Sequence, residues 1–488
     1  MAEEIKENWK HLLINGKSKT LEVKDSEFDK GKLVSISEIK NYPKLDADNK
    51  EIKHTAELAN NEKRKVYTTF FQKPFKNLVL LTGAGSSMDV KGLSMAQLWD
   101  EAVKELKTDK VDGLSNIIKA VKFPDEKKDK KDIEALLSQV EGFVKFSEDT
   151  EIVYKDGKKK LSELKDLLFK LIQEKCTIPT PPNDAFPHKV LHEKVLQPKQ
   201  TSPRVKVFTL NYDLLFEDAA TAVNAIVIDG FSYTFPRTFS GRYFDYDIVQ
   251  REGSKLKEED NFVQRVFHLH KLHGSINWER VEETGSVVIN EKPKKALMVY
   301  PREAKYEDSY EQPFFEMMAR FQRNLRLNDD TLLVCIGYSF NDKHINAAIE
   351  EALNQNPGFR LAIIDPGFDN DAASKSLKTI KETALQTERI LMVSETFTDF
   401  ANYFPEIKTY ENPQQVTISS TFGLGFYKKG SGFRKETVIP CPVTIRRTTK
   451  CYLCPISFYA TITFSLHRLV LRLRCWVEAQ HDQITSMN

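Results

Sequence analysis

The feature that most constrains this chain is a recurring one: short apolar runs, each stopped by small or polar residues. Leu78-Val79-Leu80-Leu81 ends at Gly83, which is the form of a strand buried on both faces of a parallel sheet. The same texture returns at 205–210, 225–228, 266–272, 332–336 and 361–364, with helical patterns between several of them, as at 311–323 and 344–353. Strands alternating with helices predict an α/β fold with a mainly parallel sheet and helices on both faces. Ligands in such folds bind outside the carboxyl ends of the strands, so the residues just after each run are where chemistry is to be sought.

Organisation around those runs is uneven. Residues 1–70 are rich in Lys, Glu, Asp and Asn and read as an N-terminal arm or accessory segment. The core spans 71–410. Within it, 103–180 reads as a helical insertion, because Ile133, Leu136, Leu137, Val140 and Val144 mark one helix face, as do Leu161, Leu164, Leu167, Leu168 and Leu171. Ser94 and Gln97 form the Ser-x-x-Gln pattern of a capping box, and Asp156-Gly157 signals a turn. Residues 411–488 read as a tail. From Glu436 only Glu436, Glu478 and Asp482 are acidic, and four of the six cysteines (Cys441, Cys451, Cys454 and Cys475) cluster there, so this end reads as frame-shifted or vector-derived.

Composition removes several classes. The chain has 488 residues, 40% hydrophobic and 29% charged, so it is neither disordered nor collagen-like. Lys+Arg number 72 and Asp+Glu 70, a net charge of +2, which offers no concentrated basic surface for direct nucleic-acid binding. Six cysteines in this length are no disulfide framework. The N-terminus is acidic where a signal peptide is basic, and the uncharged stretch Cys451–His467 contains Pro, Ser and Thr, which suit a membrane span poorly. A cytoplasmic protein is expected.

Five strand-end segments carry candidate chemistry. Gly83-Ala84-Gly85-Ser86-Ser87 follows the first core strand; its glycines would let backbone approach a diphosphate, with exposed N–H groups facing the anion. The third glycine of GxGxxG is replaced by Met88, so a tight turn without ligand is the competing reading. Asn211, in Thr209-Leu210-Asn211-Tyr212-Asp213, can orient a water or a ribose hydroxyl, or can simply cap a helix with Asp213 in its first turn. His268 and His270 share a strand face, an arrangement that can hold a metal. His273 instead stands at the strand end before Gly274, where a neutral imidazole can act as a general base. Gly337 and Ser339 close another strand, and Asp365 ends the last run, where a carboxylate can accept from ribose hydroxyls. Gly16-Lys17-Ser18 is a decoy, because a P-loop needs glycine where His11 stands.

Taken in order, these segments resemble the Sir2 (sirtuin) superfamily. Gly83–Ser87 is similar to its first nucleotide-binding turn, the Asn211 segment to its Thr-Gln-Asn-x-Asp motif, and His273-Gly274 to the segment holding its catalytic histidine. The resemblance implies a Rossmann-like sheet that takes NAD+, with Asn211, His273 and Asp213 catalytic and Gly83, Ala84, Gly85, Ser86, Ser87, Gly274, Gly337, Ser339 and Asp365 binding it. Protein deacylases of this family carry two CxxC pairs on a zinc module. Between 70 and 400 only Cys176 and Cys335 occur, so no zinc is expected in this domain, and no cofactor beyond NAD+ as substrate. Gly92-Leu93-Ser94-Met95-Ala96-Gln97 also replaces the family's Gly-Ile-Pro-Asp-Phe-Arg stretch. The insertion, with the Tyr212-Asp213, Asn277-Trp278 and Phe340-Asn341-Asp342 variants, resembles the Sir2-like effectors of bacterial antiphage systems. That implies an NAD+ glycohydrolase acting by NAD+ depletion, as a homo-oligomer and beside a partner such as a HerA-type hexameric ATPase. A protein deacylase or ADP-ribosyltransferase, and a non-catalytic module sensing NAD+ or ADP-ribose, are the alternatives.

Overall fold

A computed structural model describes residues 8–405 apart from 47, 148, 156, 197–202, 251–261, 299–311, 327–329 and 371–372, and the backbone of 445–446 and 461–462. Ten strands form one sheet: β1 (Trp9–Ile14), β2 (Leu21–Lys24), β3 (Glu38–Ile39), β4 (Asn77–Thr82), β5 (Val205–Thr209), β6 (Ile226–Ile228), β7 (Val266–Lys271), β8 (Thr331–Ile336), β9 (Arg360–Ile364) and β10 (Ile390–Val393). Their order across the sheet is β6-β7-β5-β4-β8-β9-β10-β1-β2-β3. Every pairing from β6 to β10 is parallel, and the pairings of β1, β2 and β3 are antiparallel. All five apolar runs after the first are strands within a residue or two of the expected limits.

The reason is burial on both sides. In β4 every residue is buried. Val79 and Leu81 pack with Phe208, Leu333 and Leu361 on one face, under Phe321, Ile349 and Ile380 of the helices Phe314–Arg326, Lys343–Gln355 and Lys375–Ala384. Leu78 and Leu80 pack on the other with Val207, Leu332 and Ala362, under Phe70, Leu191, Phe216 and Phe400 of Ala56–Phe71, Pro187–Val195, Leu215–Ala222 and Phe397–Tyr403. Alternate residues of one strand thus feed two cores, the signature of a sheet covered on both faces.

The insertion builds a third core. Leu98 and Trp99 of Met95–Leu106, Ile117, Leu136, Leu137 and Val140 of Ile133–Val144, and Leu164 and Leu168 of Leu161–Cys176 pack together, while Val144 and Leu167 are only partly buried. The capping box at Ser94 is present, its hydroxyl accepting from the Gln97 N–H. A hairpin pairs Glu151–Tyr154 with Gly157–Lys160, its Asp156 lying outside the described residues.

The first 70 residues are more integrated than an arm: β1 pairs with β10 and extends the sheet. Leu12, Val23, Ile39 and Ala59 form their own small cluster there. The segment's short strands, Leu-Glu-Val-Lys in β2 and Glu-Ile in the edge strand β3, carry little periodic signal.

By its contacts the chain falls into two units, Met1–Tyr410 and Glu411–Asn488. In the second, Ile445–Arg446 pairs antiparallel with Thr461–Ile462; Glu436 and the four tail cysteines lie outside the described residues. Among the described residues no helix is long and apolar enough to cross a membrane.

Candidate active site

The chain leaves β4 toward β5 and β7 on one side and returns at β8 on the other, so β4 and β8 flank the point where strand order reverses. Crevices open at such points. Two glycine turns meet there. Gly83 N–H donates to the Ile336 carbonyl (3.1 Å) and Gly85 N–H to the Gly337 carbonyl (3.0 Å). A Cβ on Gly85 would lie 2.6 Å from Gly337 Cα, and one on Gly337, whose φ is +58°, would lie 2.5 Å from Gly85 backbone. The glycines are therefore demanded by the protein's own crossing of two turns. Expectation and structure part over the amides: Ser86 N–H donates to the Gly83 carbonyl and Ser87 N–H to that of Ala84. Four of the loop's five N–H groups are thus taken by the protein itself, two by β8 and the turn after it and two within the helical turn at 85–88.

Asn211 follows β5 on the same edge. Its side-chain nitrogen donates to the Gly83 carbonyl (3.0 Å), Ser86 Oγ (3.1 Å) and Ser87 Oγ (2.9 Å). A carbonyl can only accept, which fixes the orientation of the amide and leaves its oxygen as the free acceptor. The helix-cap reading fails, since the helix begins at Leu215 and Asp213 takes the Leu215 N–H (3.2 Å). Asp213 also accepts from Ser87 Oγ at 2.6 Å, so it steadies Asn211 through a buried serine. Burial pushes the Asp213 carboxyl up, against Lys271, Ser87 and the Leu215 amide. Lys271, buried at the end of β7, donates to the Tyr212 carbonyl (3.4 Å), the Asp213 carbonyl and Glu217 Oε1 (3.1 Å), pinning the Asn211 loop to the neighbouring strand.

Two residues beyond Lys271 stands His273, 15% exposed, whose Nε2 lies 3.2 Å from Asp342 Oδ2. Asp342 caps the Lys343–Gln355 helix, accepting from the His344 and Ile345 amides through Oδ1. Burial works to raise its carboxyl, but His273 and those two amides hold it below the usual carboxylate range. An ionised acceptor requires the proton on Nε2, which leaves Nδ1 as the basic nitrogen. Glu134, on the insertion helix Ile133–Val144, accepts from Tyr212 Oη at 3.0 Å. Its carboxyl is pushed up to about 7, by burial first, against the opposing pull of His273 and Tyr212 and with the help of Asp132 and Asp342.

Asn211, His273 and Asp213 line a single cavity of about 3030 Å³ with Gly83, Ala84, Gly85, Ser87, Gly337, Ser339 and Asp365. It exceeds an ordinary small-ligand pocket of roughly 300–1,000 Å³ and has room for an extended dinucleotide. Ser86 and Gly274 are not on its wall. Ser86 is fully buried, and Gly274, with φ +94°, is packed where a Cβ would meet the Leu297 carbonyl. Asp365 accepts from the Gly367 N–H (2.7 Å), and burial raises its carboxyl. His268 and His270 face the aromatic core, His270 stacked on Phe208 and Phe244. Among the described residues no cluster of three or more His, Cys, Asp or Glu side chains is arranged to hold a metal.

Residues 205–387 match the family model described as a SIR2-like domain. No curated protein matches the chain. SIR2-like domains are NAD-utilising enzymes, and the matched segment contains Asn211, Asp213, His273, Asp342 and Asp365. Gly83–Ser87 and Glu134 lie before it and reach the same cavity through the fold. Sequence reasoning missed Glu134, Glu395 and Thr396 on the cavity wall. Glu134 sits in a helix that reads only as apolar periodicity. The other two follow β10, whose apolar Ile390–Val393 was a findable strand-end signal.

Proposed function

We propose that this chain is an NAD+ glycohydrolase, cleaving NAD+ to nicotinamide and ADP-ribose. The observation that carries the reading is the convergence of His273, backed by Asp342, and Asn211, backed by Ser87 and Asp213, on the cavity of a SIR2-like domain at its strand-order reversal. The diphosphate would lie along Gly83–Gly85, where the Ala84 amide remains to meet it, and Asp365 would accept from ribose hydroxyls of the adenosine half. Breaking the nicotinamide–ribose bond builds oxocarbenium character at the ribose carbon. His273 Nδ1 draws on a ribose hydroxyl as that charge grows, and the Asn211 carboxamide oxygen orients the hydroxyls or the incoming water.

The activity serves antiphage defence by NAD+ depletion, in a cytoplasmic homo-oligomer paired with a HerA-type hexameric ATPase; this part of the reading rests on the resemblance of the insertion and the motif variants. Mass spectrometry of NAD+ incubated with the purified chain, with and without its neighbouring-gene product, tests it. Nicotinamide with free ADP-ribose supports hydrolysis, acyl-ADP-ribose or ADP-ribosylated protein supports transfer, and intact NAD+ supports a sensor. Replacing the base, His273→Ala, lowers the rate by about 10²–10⁴; parental turnover in that variant or in Asn211→Ala overturns the assignment.

A further inference from the structure

The helix Ile133–Val144 has two faces. Ile133, Leu136, Leu137 and Val140 bury into the insertion core, whereas Glu134, Ser138, Gly142 and Phe143 line the cavity that holds Asn211 and His273. Ser138 Oγ, one turn beyond Glu134, is buried there without a hydrogen-bond partner. Glu134 is held from the Asn211 loop itself, through Tyr212 Oη at 3.0 Å. Tyr212 is in turn fixed by its backbone carbonyl, which accepts from the Ile276 amide (3.1 Å).

Hydrolysis of a ribosyl–nitrogen bond asks two proton-handling tasks of a site. One is to favour positive charge on the ribose, through its hydroxyls; the other is to take the proton of water as the new carbon–oxygen bond forms. His273 has one basic nitrogen, because the other faces Asp342. We propose that Glu134 is the general base for the attacking water, a role supplied by the insertion from outside the SIR2-like segment. As the water oxygen bonds to the ribose carbon, one of its protons passes to Glu134, and the carbon–nitrogen electron pair leaves with neutral nicotinamide. The proton is then released to solvent, so that NAD+ and water give ADP-ribose, nicotinamide and H+. A carboxyl titrating at about 7 suits such a base at neutral pH. The groups facing it are Tyr212, His273, Asp342, Asp132 and the Cys176 thiol.

This inference rests on the glycohydrolase reading, and the test separates the two. In the full chain with its partner, Glu134→Gln is expected to lower kcat by about 10²–10⁴ with KM for NAD+ little changed. It is also expected to remove the acidic limb near pH 7 that such a base would give the parent's kcat/KM, since below that pH the base is protonated. Azide needs no deprotonation, so it restores nicotinamide release by Glu134→Gln, as a ribosyl azide, and does not restore His273→Ala. Tyr212→Phe removes a hydrogen bond that favours the carboxylate, so its acidic limb moves to higher pH; this carries the test if Glu134→Gln fails to fold. Parental turnover by Glu134→Gln, or an unmoved limb in Tyr212→Phe, overturns the role of Glu134 and leaves the hydrolase standing. A parent chain that releases no nicotinamide overturns both.

Discussion

Single residues in this site hold two positions at once. Asp342 is a helix cap through one oxygen and the partner of His273 through the other. Asn caps as well as Asp, so Asp342→Asn removes the charge behind His273 while keeping the helix end. A hydrogen bond to a charged group contributes about 1.5–3 kcal/mol, and the expected loss in kcat is therefore roughly 10- to 100-fold. Circular dichroism and melting temperature should barely change; a large melting shift would mean that Asp342 acts mainly on the fold. Asn211 and His273 were legible in the sequence because each follows an apolar run within a residue or two. Their supports were less so. Ser87 reads as part of a phosphate loop, yet its hydroxyl is spent on Asp213, a contact across 126 positions that no local pattern encodes. Glu134 is a polar position on a helix whose periodicity reports only the buried face.

At the level of elements, the site depends on two turns pressed together. Gly85 and Gly337 meet backbone to backbone, so alanine at either position forces the β4 and β8 turns apart. Each substitution is expected to cost about 1–3 kcal/mol, by strain at a positive φ for Gly337→Ala and by overpacking for Gly85→Ala. Because they share one contact, the double variant should lose less than the sum of the singles; strict additivity in denaturant melts would show that the turns are independent. The strands themselves were readable, since fully buried parallel strands are uninterrupted apolar runs. The short antiparallel strands were not. β2 and β3 have charged alternate residues and only four and two positions, too few for a period of two to stand out.

Over the whole molecule, sequence-distant segments are tied by a few polar clamps. Asp369 accepts from the His11 amide (2.7 Å), from His11 Nδ1 (3.1 Å) and from Lys381, joining β1 to the Lys375–Ala384 helix. Burial works to raise its carboxyl, but His11 and Lys381 hold it at about 2. That lies below the ordinary value of about 3.9, so its stabilisation is complete above that pH and is lost as pH falls through about 2. A contribution of roughly 2 kcal/mol follows by linkage. Asp369→Asn should melt lower than the parent at neutral pH, and the gap should close toward pH 2; a constant gap would assign the effect to packing. The cavity draws on a still wider span, since its wall includes Lys30 near one end of the described chain and Thr398 near the other. A polypeptide emerging from the ribosome consequently has no such chamber until nearly four hundred residues are made. A fragment lacking either flank inherits the residues without the full enclosure.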